Sequence, residues 1–498
     1  MCGSSGDVCG SSGDVRGSSG NVCGHSEKMN IYSGDIENGG FMRKNILIHL
    51  IFAIFLIFPV FAAENMAYIS PYPQDVTRRS LSALAEVSVL TFSPGKEIYR
   101  AFGHSALHVS DPVKNIDKLF TFGAISGIDS PEVLLRALLA DAECVAGAAR
   151  FSDAMAYDAE TQNRAVIEQK LNLTHEDKQK IYSYLLWKTE ESKRSDKYDP
   201  VQNNCATAVR DVLKLVWTAG IAENHFLRES SEPLTPRALI LAKLSENPWA
   251  KITASLFAGC SADRAYTLQE LAFMPDVLRS VLAVSKTKAN GDVVPLVKST
   301  TVIAEGSARK AKKAWDFAFI EPSAVFLLIG IFAAVFTAIE IFLILICEKS
   351  GKRKFFSLSK AFSSTMQALD ILLFLFTGLL GTAIFFAALF SKSQAFLGNI
   401  NFLWLLPANT IASVFCAREK SSRILSAYFL SCAYLCVFVL IFREKLPQEI
   451  DGAFSPLIFA IAVRAAFQAV SRPMKAMLQV RALFVKTQAK SSPNTTGR

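Results

Sequence analysis

Cys205 and His104 are the side chains whose types and settings suit nucleophilic catalysis. Cys205 stands in YDPVQNNCATAVRD, where a turn rich in Asn and Pro feeds a helix predicted over 205–216. A cysteine at a helix N-terminus faces unpaired backbone N–H groups and the positive end of the macrodipole, and both favour thiolate over thiol. His104 stands in YRAFGHSALHV, at the entry of a predicted strand. An imidazole beside the sulfur would accept the thiol proton and return one to a leaving group. By themselves the two residues are weak evidence, because a lone buried cysteine is usually an inert small hydrophobe.

The remaining candidates read as structural. Cys144 follows Asp141 and Glu143, so its thiol lacks an activating neighbour. Cys260, in FAGCSADRA, has no helix start directly after it and no adjacent histidine. A Cys144–Cys260 disulfide is conceivable in an exported domain, but spacing does not establish one. His108 shares a strand face with His104, about 13 Å away at strand rise, so the two rings do not serve one sulfur unless the strand is bulged, and His108 is kept as a possible third member or substrate-positioning residue. Of the two, His104 is preferred, because Gly103 before it permits close approach. His175, next to a cap at Thr174, and His225 lie in polar surroundings and read as surface residues.

These side chains need elements to hold them. Strands are predicted over 87–92, 106–109 and 119–122, and helices over 131–140, 175–188 and 205–216. Short strands and helices without a Gly-rich phosphate loop point to an α+β domain over 64–284. Residues 285–323 read as a linker or juxtamembrane stretch.

The chain has 498 residues, 51% of them hydrophobic and 19% charged, and its formal net charge is +9. Its apolar excess lies near 45–63 and after 323, which excludes a fully soluble protein and a disordered one. Residues 1–41 open with the repeat CGSSGDV, CGSSGDV, RGSSGNV and are read as low-complexity sequence ahead of the true start. Residues 42–63, from Met42 through Arg43, Lys44 and an apolar run to Ala63, follow a signal-peptide pattern. Five apolar segments, near 324–347, 368–390, 402–416, 424–442 and 453–470, are read as an all-α five-helix transmembrane domain over 324–470. A basic tail over 471–498 follows. If residues 64–284 are outside, the loops predicted inside carry Lys349, Lys352, Arg353, Lys354 and Lys360, then Arg418, Lys420 and Arg423, then the tail. The outer loops carry one lysine or balanced charges, so the positive-inside rule is met throughout. Glu340 and Arg464 are a candidate pair within the bundle, and Trp404 a candidate interface anchor. Asn399, Asn401 and Gln448, near the outer edge, are candidates for positioning a headgroup or substrate, with ordinary interfacial hydrogen bonding as the alternative.

GHSALHV followed about a hundred residues later by NNCATAVRD resembles the permuted branch of the papain-like NlpC/P60 superfamily, in which His precedes Cys, as in lecithin:retinol acyltransferase. The chain more closely resembles the bacterial lipoprotein N-acyltransferase family called Lnb, a periplasmic thiol domain followed by five membrane helices. NRAVIEQKLNLT, SADRAYTLQELAFMPDVL, NINFLWLLP and LPQ extend the likeness from about 85 to 470. His108 and TFG stand where that family is expected to have Arg and a Tyr-Gly pair.

The resemblance implies Cys205 as nucleophile and His104 as its base. Thr121, on the next strand, is the candidate third member. Asn204 and Thr207 flank the nucleophile, and Arg164 and Arg210 would either bind a phosphate or form internal salt bridges. The implied reaction moves an acyl chain from a phospholipid to the N-terminal amine of a diacylglyceryl-cysteine lipoprotein through a Cys thioester, at the outer face of the cytoplasmic membrane. The alternatives are a membrane-tethered Cys/His hydrolase, acting on cell wall or lipid, and a non-catalytic ligand-binding membrane accessory protein. No cofactor, metal or nucleic-acid partner is implied.

Overall fold

Apolar residues on both faces of the first strands require cover on both sides, and the chain supplies it. The computed structural model describes residues 80–95, 97–216, 235–289, 292–306, 320–350, 353–416 and 423–471. The repeats, the signal-like segment, His225 and the basic tail lie outside them. Seven strands form one antiparallel sheet: β1 (Glu86–Phe92), β2 (His104–Asp111), β3 (Ile116–Ala124), β4 (Glu143–Arg150), β5 (Val166–Leu171), β6 (Ser195–Lys197) and β9 (Val297–Ala304). Their order is β6-β4-β3-β2-β1-β5-β9. A separate hairpin joins β7 (Lys286–Ala289) to β8 (Asp292–Pro295).

Residues 286–304 are therefore not the linker that their composition suggested. β9 pairs with β5 from Val166↔Ala304 to Leu171↔Val297 and closes that side of the sheet. Its residues are mostly exposed, so no apolar alternation marked it as a strand.

Helices α1 (Pro131–Leu138), α2 (His175–Lys188), α3 (Cys205–Lys214), α4 (Pro236–Lys243), α5 (Pro248–Phe257) and α6 (Pro275–Val284) complete this domain, with shorter helical turns between them. Thr174 caps α2, its hydroxyl accepting from Asp177 N–H, as predicted. One face of the sheet, with Leu107, Val109, Phe120 and Phe122, packs against Ile181, Tyr182 and Leu185 of α2 and Ala206, Val209 and Leu213 of α3. The other face, with Leu90, Phe92, Ala106, Leu119 and Val166, is covered by Phe151, Ala154 and Met155.

Five helical spans follow, over Pro322–Ile346, Ser357–Phe390, Gln394–Cys416, Arg423–Lys445 and Gly452–Ser471, each long and apolar enough to cross a membrane. The helix carrying the second span begins at Arg353, so Lys354 and Lys360 lie in it rather than in a loop. The third span is broken into two short 3-10 turns and a helix from Ala408, with Pro407 at the break. Arg464 is buried in the bundle and forks onto Asp370 at 2.6 and 2.7 Å, with Glu340 at 3.2 Å and Thr337 at 2.7 Å. The predicted Glu340–Arg464 pair is present, but Asp370 is the closer partner.

The two parts meet at the C-terminal end of α5. A helix leaves its last carbonyls without intrahelical donors. Arg237, in α4, donates to the carbonyls of Ser255, Ala258 and Gly259. Asn399 donates to Leu256 and Phe257, Asn401 to Leu256, and Gln448 to Ala258, all at 2.9–3.0 Å. Asn399, Asn401 and Gln448 are thus buried clamps between the domains, and their donor groups are spent on backbone. Trp404 is buried as well, its indole N–H on Asn401 Oδ1 at 2.9 Å, so it is a core residue and not an interface anchor.

Candidate active site

Cys205 is the first residue of α3. Asn204 caps the helix, its Oδ1 accepting from the N–H groups of Ala206 and Thr207 at 2.9 and 3.0 Å. Thr207 Oγ1 accepts from Asn204 N–H at 2.8 Å and completes a reciprocal capping box. Asn204 Nδ2 donates to the carbonyls of Pro200 and Phe273. Asn204 and Thr207 therefore frame the nucleophile's helix, and their polar groups are engaged with backbone. The Ala206 and Thr207 amides bond to the cap, while that of Cys205 does not. Gly123, at the end of β3 with φ +74°, lies against that amide: a Cβ there would stand 3.2 Å from Cys205 N.

The start of β2 reaches the same place. Gly103, φ +82°, turns the chain where a Cβ would stand 2.8 Å from the Phe92 carbonyl oxygen. Beyond it, the Ser105 backbone N–H contacts the Cys205 sulfur, so the thiol lies against the residue next to His104. His104 Nε2 is 2.6 Å from Thr121 Oγ1. The strand register explains this contact, because Thr121 pairs with Ala106, which shares a face with His104. His104 also packs on Phe92, ring centroids 5.9 Å apart.

The electrostatics differ from the thiolate expected at a helix start. Burial pushes the Cys205 thiol up, opposed by the Ser105 and Ala206 amides and by the Arg164 charge. Burial, and then the charges of Arg164 and Arg100, lower His104 to about 3. Burial therefore favours the neutral form of both groups, so the thiol proton has to move during attack rather than beforehand. If Nε2–H donates to Thr121, Nδ1 carries the free lone pair.

The other candidates separate from this cluster. His108 binds Asp117 at 2.8 Å and Glu168 at 3.1 Å and stacks on Phe151. These carboxylates raise its pKa despite burial, so it is an internal strut whose charged form they favour. Arg210 forks onto Asp211 and donates to the Gln269 carbonyl, which is the salt-bridge alternative. Arg164 is buried and donates to the Ser93 carbonyl at 2.7 Å and to Asp158 at 2.8 Å, yet its charge is felt by both Cys205 and His104. Cys144 and Cys260 are free thiols, so the conceivable disulfide is not formed. Burial raises each to about 11, and Cys260 Sγ instead contacts the Gly398 carbonyl at 2.7 Å. His175 opens α2. Among the described residues, no group of three or more His, Cys, Asp or Glu could hold a metal ion.

Sequence reading missed Arg100, Gly123 and the Ser105 amide. Gly123, in the quoted TFG, was the one with a readable signal. No curated protein and no solved structure matches the chain. Family models do: residues 73–240 match the Lnb N-terminal periplasmic domain, and residues 312–475 the Lnb transmembrane domain. Between them these matches cover most of the chain, in the order that the thiol domain and the five spans occupy, and the chain belongs to the Lnb family.

Proposed function

We propose that this protein is a lipoprotein N-acyltransferase working through a Cys205 thioester at the outer face of the cytoplasmic membrane. The observation that carries the reading is the position of Cys205 at the start of α3, against the strand residue beside His104, in a domain clamped to a five-span bundle. In the first half-reaction the sulfur attacks a phospholipid ester carbonyl, and His104 Nδ1 takes the thiol proton. The C–S bond forms, the ester C–O bond breaks, and His104 returns the proton to the departing lysophospholipid oxygen. The Cys205 N–H, left free by the cap, is the candidate oxyanion donor.

In the second half-reaction the α-amine of a diacylglyceryl-cysteine attacks the thioester. The C–N bond forms, the C–S bond breaks, and the amine proton passes through His104 back to sulfur. One site serving both substrates implies ping-pong kinetics. The Asn399, Asn401 and Gln448 clamps support the reading by setting the height of the thiol above the spans.

The experiment is mass spectrometry of lipoprotein N-termini from cells carrying wild type, Cys205→Ser or His104→Ala, with intact-mass detection of an acyl chain on Cys205. N-acylation dependent on both residues supports the transferase. Unchanged lipoproteins with altered muropeptides or lysolipids would establish a hydrolase instead. Unimpaired function in Cys205→Ser would establish a binding module.

A further inference from the structure

Two arginines beside the candidate dyad have more donors than partners. Arg164 is 4% exposed, and its Nη2 is a buried donor with no partner, although Nε and Nη1 are satisfied by Ser93 and Asp158. Arg100 shows the same pattern. Its Nη2 donates to Tyr157 Oη at 3.0 Å, Glu97 lies 3.7 Å from Nε, and Nη1 is buried without a partner. Tyr157 and Asp158 are consecutive residues of one π-helical turn, Ala156–Thr161, so a single irregular turn positions both guanidinium groups. The two cations are close enough that Arg100 lowers the pKa of Arg164, and both lower that of His104. Arg164 also lies over the Phe92 ring, 5.4 Å from its centroid, and His104 packs on the same ring.

An unpartnered buried donor is costly, and two on neighbouring like charges are costlier. An anion with several acceptor oxygens satisfies both. Planar arginine forks fit phosphate oxygens in particular.

We infer that Arg100 and Arg164 form a phosphate subsite that takes the phosphodiester of the acyl donor and places its ester beside Cys205. This rests on the acyl-transfer reading and assigns the subsite to the first half-reaction, because the lipoprotein amine carries no phosphate. It also gives donor binding a second effect: a phosphodiester between the arginines offsets the charges that lower His104, making the imidazole a better base once the donor is present.

The test uses the full-length protein in detergent. In the Cys205→Ser protein, native mass spectrometry compares retention of dioleoyl-phosphatidylglycerol with that of dioleoylglycerol, which lacks the phosphate. The expected result is a preference for the phospholipid that falls on the order of tenfold in Arg100→Gln and in Arg164→Lys, which keeps the charge but loses the fork. No preference before these changes, or one that survives both, overturns the subsite. In the thiol-active protein, Cys205 acylation from the two donors should show the same loss of discrimination, with inorganic phosphate competing only against the phospholipid. If phosphate competition disappears in the variants while lipid discrimination persists, the pair is a free-anion site and the lipid assignment is wrong. If Cys205 is acylated by neither donor, the acyl-transfer reading fails, while the retention measurement still judges the subsite.

Discussion

Replacing Thr121 by Val removes the acceptor 2.6 Å from His104 Nε2 and leaves the side-chain shape nearly unchanged. In the resting protein this bond is between neutral groups and contributes about 1 kcal/mol. During attack the imidazole becomes an imidazolium, and the same Nε2–H donates a charge-assisted bond of about 1.5–3 kcal/mol. The excess over the resting bond, about 0.5–2 kcal/mol, lowers kcat by roughly twofold to thirtyfold. Loss of tautomer control adds to this, because without Thr121 nothing favours the proton on Nε2 over Nδ1. The combined expectation is a fall in Cys205 acylation of about tenfold to a hundredfold, with the melting temperature lowered by only about 2–4 °C per kcal/mol of the lost resting bond. The assay is single-turnover acylation followed by intact mass, with Thr121→Ser as the rescue variant because it restores the hydroxyl. The acid limb of the wild-type rate should lie well below the usual histidine range, since His104 is lowered to about 3 and the free imidazole is already the basic form at neutral pH. A Thr121→Val rate within twofold of wild type, or Thr121→Ser no better than Val, would refute Thr121 as the orienting residue.

Three further perturbations test the frame around the dyad. Asn204→Ala removes the α3 cap and strips donors from the Pro200 and Phe273 carbonyls, and should cost about 2–3 kcal/mol in urea denaturation; Asn204→Asp, which keeps only the cap, should fall between. His108→Gln leaves Glu168 without its buried counter-charge and should destabilise by about 2–3 kcal/mol. Because the His108 pKa is raised, its contribution is fully present below the unfolded value of 6.5 and disappears as pH rises through the folded value, so the two melting temperatures should converge on the alkaline side; a constant gap across pH contradicts the charged-strut reading. Asn399→Ala combined with Gln448→Ala strips the Phe257 carbonyl of its side-chain donor and leaves only Asn401 on Leu256 and Arg237 on Ala258, and hydrogen exchange over 256–261 should speed up about tenfold while the sheet stays protected. Unchanged exchange would show that the clamp does not hold the domains together.

Local patterns determined a good deal. The strands near 87–92 and 119–122, the capped helix from His175, the helix start at Cys205 and the five apolar spans were legible because periodicity, caps and run length act within a few residues. Cys205 and His104 stood out as residue types in suitable contexts, and their pairing as a dyad is part of the proposed mechanism. Tertiary structure decided the rest. Thr121 meets His104 because β2 and β3 pair in one register, and a slip of one residue would turn it to the other face. For Asn399, Asn401 and Gln448 the sequence left substrate positioning and ordinary interfacial hydrogen bonding both open, since polar residues at a membrane edge need partners. Only folding showed that those partners are the last carbonyls of a helix some 140–190 residues earlier in the chain. The exposed strand β9 had no amphipathic pattern and is ordered by the edge of β5. A hydrogen bond is chosen by what the completed fold brings within about 3 Å, whereas a sequence carries only the preference to make one.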